Sequence, residues 1–121
     1  MPTTPHPPLY TALVELTGWS LDRTAGLPKS CRFTFGQRLD GLALDALQLC
    51  IRALYSERPR KAEILRELNL VLEQMRALWR LVHERRWIAQ GQLLHVMARL
   101  DECGRMTGGW LNSLDGKKAA K

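Results

Sequence analysis

The sequence predicts an all-α fold, an antiparallel up-down four-helix bundle. Three observations carry that expectation. Apolar residues recur at the helical period in four segments, no stretch alternates as a half-buried strand would, and proline and glycine punctuation separates those four segments by short connections. With 121 residues the chain can bury one core and not two. Residues 1–7, rich in proline and without the basic and apolar regions of a signal peptide, read as a disordered lead-in. The first helix then spans about Pro8 to Ala25, with Leu9, Leu13 and Leu16 on one face and a stop at Gly26, Leu27 and Pro28. Gly18 inside it costs up to ~1 kcal/mol relative to alanine.

The second helix is expected from about Thr34 to Ser56, opened by Thr34 and Gln37 at capping-box spacing, where each side chain satisfies an orphan backbone donor. The third begins near Pro59, favoured in a first turn where its missing N–H costs nothing, and runs to about Arg86. The few residues before it force an antiparallel pair. The fourth runs from about Ala89 to Leu114, leaving residues 115–121 as a basic flexible tail and residues 8–114 as the bundle.

Projected at the helical period, the third helix has a core face of Ile64, Leu68, Val71, Leu72, Met75, Leu78, Trp79 and Val82. Leu70, Ala77 and Leu81 fall off that face in a second stripe that an isolated bundle would leave wet. The second helix repeats the pattern: Phe35, Leu39, Leu42, Ala46, Leu49, Cys50 and Ala53 form its core face, and Leu44, Leu47, Ile51 and Leu54 extend it. Such breadth fits either a central helix with two neighbours or a homo-oligomer whose partners cover the stripes. On the fourth helix the core side holds Leu93, Val96, Met97, Leu100, Cys103, Leu111 and Leu114. Gly104, Gly108 and Gly109 are expected to admit a close backbone neighbour.

Eighteen Lys and Arg against twelve Asp and Glu give a net charge of +6, and the excess points to a polyanionic partner. Arg58, Arg60 and Lys61 cluster between the second and third helices, Arg85 and Arg86 end the third, and Arg76 and Arg80 lie one turn apart on what the projection gives as its outer side. Arginines clustered without aromatic stacking platforms among them predict electrostatic, sequence-tolerant binding of RNA and DNA. Cys31, Cys50 and Cys103 are odd in number and form no CxxC pair, so free thiols and a reducing cytoplasm are expected. Charged residues interrupt every helical segment, which excludes membrane insertion by a helix.

Phosphate-loop, nucleophile-elbow and dinucleotide motifs are missing, and the residues three before His83 and His95 are Arg80 and Gln92, not the glutamates of a di-iron bundle. The expectation is a protein that is not an enzyme, with no cofactor and no metal.

Two motifs resemble a known family. Leu27 to Leu39, LPKSCRFTFGQRL, is similar to the FPKSxRFTLGxRL junction of the accessory variability determinant (Avd) proteins of diversity-generating retroelements. Asp101 to Leu111, DECGRMTGGWL, is similar to their DExGRxLGGWL last helix, with Ala53 to Ser56 and Leu65 to Glu67 matching in order between them; the likeness covers about Tyr10 to Leu114. The resemblance implies four-helix protomers assembled into a basic pentamer. It also implies partnership with the retroelement reverse transcriptase and its RNA, in support of adenine-mutagenic cDNA synthesis and retrohoming. Arg76 and Arg80 fall where the family places basic residues on its third helix, and Ala89 replaces a capping Ser or Thr. Proteins encoded in intervening sequences of bacterial 23S ribosomal RNA share the fold, so a structural homo-oligomer with no reverse transcriptase partner remains the alternative, and the basic charge favours the first reading. Nucleic acid or reverse transcriptase would then meet Arg76, Arg80, Arg58, Arg60, Lys61, Arg85 and Arg86, and the oligomer interface would use Leu70, Ala77, Leu81, Leu44, Leu47 and Ile51.

Overall fold

Four antiparallel helices follow one another around a shared apolar core in the computed structural model, which describes residues 7–119 and side chains as far as Leu114. Helix α1 is Pro8–Ala25, α2 is Gln37–Leu54, α3 is Arg58–Glu84 and α4 is Gln90–Ala119. Each packs on its neighbours in sequence, and α4 closes the square against α1. The all-α four-helix expectation holds. Residues 1–6 and the side chains of the tail lysines Lys117, Lys118 and Lys121 lie outside the described residues; the backbone of α4 continues helical to Ala119.

The core is the set of faces the apolar periodicity marks. Leu13, Leu16, Leu39, Ala46, Cys50, Leu68, Leu72, Met75, Trp79, Val82, Val96, Leu100 and Cys103 are all buried. Leu65 joins them although it sits at the edge of the projected face, while Leu78 is half-buried. Thr17 ties α1 to α2: its hydroxyl donates to the carbonyl of Leu13 at 2.7 Å, with the carbonyl of Ala43 at 3.4 Å. Two turns on, the Thr24 hydroxyl donates to the carboxylate of Asp40 at 2.6 Å. These two contacts fix the α1–α2 register.

The α1–α2 junction differs from expectation. The chain turns helical already at Lys29–Cys31, behind Pro28, and passes through a π-helical turn, Arg32–Gly36, before α2. Thr34 and Gln37 therefore form no capping box; the Thr34 hydroxyl donates back to the carbonyl of Cys31 at 3.1 Å. Backbone N–H groups that a cap would have satisfied are already inside a continuous helical ladder. The π turn, with one residue more per turn than an α-helix, swings Phe33 out to 66% exposure.

Helix α3 opens with Pro59 in its first turn and closes in a Schellman motif: Arg86 N–H donates to the carbonyl of His83 at 2.8 Å and Trp87 N–H to that of Val82 at 3.1 Å. The left-handed position of that motif is taken by Arg86, φ 64°, where glycine is usual. At the start of α4, Gln92 accepts from the backbone N–H of Ala89 at 2.8 Å, half of a capping box whose hydroxyl partner Ala89 cannot supply. The glycines of α4 are also corrected. A Cβ at Gly108 or Gly109 would meet nothing within 4 Å, so no close approach demands them, and at Gly104 the neighbour is the guanidinium of Arg76 at 3.4 Å.

Candidate nucleic-acid interface

Alternating helix direction sends the α1–α2 and α3–α4 turns to one end of the bundle, the double-turn pole, and the α2–α3 turn with the start of α1 and the end of α4 to the other, the single-turn pole. The predicted cations divide between them. Arg58, Arg60 and Lys61 belong to the single-turn pole, and Arg85 and Arg86 to the double-turn pole. The 27 residues of α3 separate the two by about 40 Å at 1.5 Å per residue. One protomer therefore does not gather them into a single patch.

At the single-turn pole two of the three cations have partners. Arg60 pairs with Glu63 at 3.6 Å, both exposed, and the Lys61 ammonium lies 5.7 Å from the ring centre of Trp110. At the double-turn pole Arg85 lies over Trp87 at 5.4 Å, and Trp87 meets Phe35 edge to face at 5.3 Å. Arg80, Arg85 and Arg86 are exposed, and among the described residues none of them makes an ion pair. Residues 23–39 and 80–92, which build this pole, hold seven of the eighteen cations and a single acid, Glu84. With the bordering Asp22 and the Asp40 already bonded to Thr24 that is seven cations to three acids, and residues 52–61 and 110–119 toward the other pole hold six to two, so both poles are basic and the acids concentrate between them.

Arg76 departs from its expected place clear of the core. Its side chain is only 18% exposed, pairs with Glu73 at 3.1 Å and with Asp101 across on α4, and rests against Gly104. It clasps α3 to α4, and a Cβ at Gly104 would only touch its guanidinium at ordinary contact distance. Arg80, one turn along, stays exposed. On α4, Arg99 pairs with Glu102 at 3.8 Å.

The expectation of no aromatic platforms among the cations is corrected as well. Trp87 and Trp110 each carry a cation on the ring, and Arg23 lies 5.9 Å from Trp19, which in turn meets His95 at 5.4 Å. The Trp19–Arg23 pair stands at i,i+4 on α1 and is legible in the spacing, Arg85–Trp87 is a local contact of the turn after α3, and Lys61 meets Trp110 only through the fold.

The apolar stripes occupy two different faces. Leu44 and Ile51, exposed, and Leu47, half-buried, stand beside α1, where the register set by Thr17 and Thr24 places exposed Val14 level with Leu47. Leu70, at 64% exposure, Ala77 and Leu81 run down the outside of α3. Between the two stripes lies the polar strip of α2, including Gln48 and Arg52.

The three thiols are free and buried. Desolvation pushes Cys50 up to about 11 and Cys103 up to about 12, so both remain protonated at neutral pH. Among the described residues no group of three or more His, Cys, Asp or Glu side chains is placed to hold a metal ion, and no helix is long and apolar enough to cross a membrane.

Against known proteins, the model of the bAvd-like family matches residues 11–114, nearly the whole bundle. The chain belongs to the bAvd-like family. It is an Avd-type accessory protein at the level of that family. No curated protein matches it. The match spans the π-helical junction and the α4 segment that clasps Arg76, so both features lie within the family domain.

Proposed function

We propose that this chain is a non-enzymatic subunit of a diversity-generating retroelement. It assembles into a homopentameric ring, holds RNA and cDNA on a basic surface, binds the retroelement reverse transcriptase and supports mutagenic cDNA synthesis and retrohoming. The family match carries the reading. The unlike apolar stripes support the ring. A two-fold dimer would pair one stripe with itself and leave the other wet, whereas a head-to-tail contact between the α1–α2 stripe of one protomer and the α3 stripe of the next covers both, and forms a ring when the rotation between copies closes. Around such a ring each double-turn pole repeats, so a local excess of charge becomes a continuous basic rim able to hold phosphates. Arg80, Arg85 and Arg86 supply exposed charge to that rim; Arg76 serves it by holding α3 against α4.

The test is co-purification of the chain with the reverse transcriptase and template RNA of its retroelement, together with light scattering. Wild type is expected as a closed pentamer that retains both partners. Leu81→Glu is expected to drop to protomers that keep their helical content, because the new charge is buried only at the contact between copies. A wild-type monomer at micromolar concentration, or a pentamer that retains neither partner, would reject the corresponding half of the reading.

A further inference from the structure

Beside the exposed Phe33, an open groove of about 660 Å³ runs between the start of α2 and the end of α3. Its walls include Phe33, Phe35 and Leu78, and its polar groups include Gln37, Arg38 and Asp45. Phe35 in turn carries the edge of Trp87, over which Arg85 lies, so the groove opens beside the cations of the double-turn pole. A large apolar ring standing out of a basic part of the molecule is poorly explained by packing, since it buries little. Nor does it serve solvation.

We propose that this groove takes an unpaired base of single-stranded RNA or DNA. The base stacks on Phe33, and Gln37, Arg38 and Asp45 offer an amide, a guanidinium and a carboxylate to its edge. Arg85 and Arg86 hold the neighbouring phosphates. The π-helical turn is the device that builds the site, because it turns Phe33 outward while keeping Phe35 half-buried beneath it. Two features select this occupant: seven cations, against Glu84 and the bordering Asp22 and Asp40, match a polyanion, and an aromatic face beside them matches single strands, whose bases are free to stack, over duplexes, whose bases are not. The inference rests on the nucleic-acid reading above and adds to it a strand preference and a location.

The experiment measures binding of a short labelled mixed-sequence oligonucleotide, as DNA and as RNA, single-stranded and as its duplex, to the full chain. Wild type is expected to prefer the single strands. Phe33→Ala is expected to weaken single-strand binding about tenfold, the scale of one lost stacking contact, with duplex binding and salt dependence unchanged. Phe33→Trp should retain the preference. Equal loss on single and double strands, no loss in Phe33→Ala, or a change in oligomer mass on that substitution would overturn the proposal, the last by making Phe33 a contact between copies. If wild type binds no nucleic acid at all, the wider reading fails with it; salt-dependent binding indifferent to Phe33 sinks this inference alone.

Discussion

At the single-turn pole Arg60 faces Glu63 and Lys61 lies on Trp110, whereas at the double-turn pole Arg85 lies on Trp87 and Arg80, Arg85 and Arg86 make no ion pair among the described residues. In a linear sequence Arg58, Arg60 and Lys61 look as capable of holding phosphate as Arg85 and Arg86. Folded, the first group stands among Glu57 and Glu63 and the second beside Glu84 alone. The difference teaches that a cation contributes to a surface field only as far as nearby acids leave it uncompensated, and that this depends on which turns the topology brings together. Arg76 is the limiting case, a cation turned inward and committed to structure.

That contrast can be sharpened by removing cations of each kind. Arg76→Ala is expected to lower stability by about 1 kcal/mol, because a largely buried guanidinium paired with two half-exposed acids, and its packing between α3 and α4, are lost. Arg60→Ala, which breaks an exposed i,i+3 pair, is expected to change it by less than about 0.5 kcal/mol. Thermal or denaturant melting of the two variants reads the difference. Equal losses would mean that Arg76 is not the clasp its surroundings indicate.

A smaller effect of opposite sign is expected at Arg86. Its φ of 64° is a conformation that glycine adopts without penalty, so Arg86→Gly should raise stability by about 0.5–1 kcal/mol, the backbone relief being partly offset by a freer unfolded chain. The same substitution should weaken nucleic-acid binding. A variant both more stable and fully competent to bind would show that this arginine is tolerated rather than used.

Much of this was legible in the sequence. Helical periodicity marked the buried faces of α2 and α3 down to Cys50 and Trp79, and it marked Leu70, Ala77 and Leu81 as surplus, because a face in a regular helix follows from spacing alone. What spacing could not give depends on breaks in regularity or on contacts between distant segments. The π turn at Arg32–Gly36 has no periodic signature and displaced the capping box expected at Thr34. The inward turn of Arg76 depends on Asp101, 25 positions away, and no projection of α3 alone contains it. The exposure of Phe33 follows from the same π turn, which is why a phenylalanine within a family motif gave no sign of being a surface group.

The asymmetry between the poles is tested most directly by the salt dependence of single-strand binding in three proteins: wild type, Arg85→Gln with Arg86→Gln, and Arg58→Gln with Arg60→Gln. For single strands each phosphate contact contributes about 0.7 to the slope of log affinity against log salt, so losing two contacts at the double-turn pole should flatten the slope by about 1.4. The single-turn variant should keep the wild-type slope. If the two double variants lose slope equally, or if only the Arg58 and Arg60 variant does, the basic surface is not where the fold concentrates its uncompensated charge.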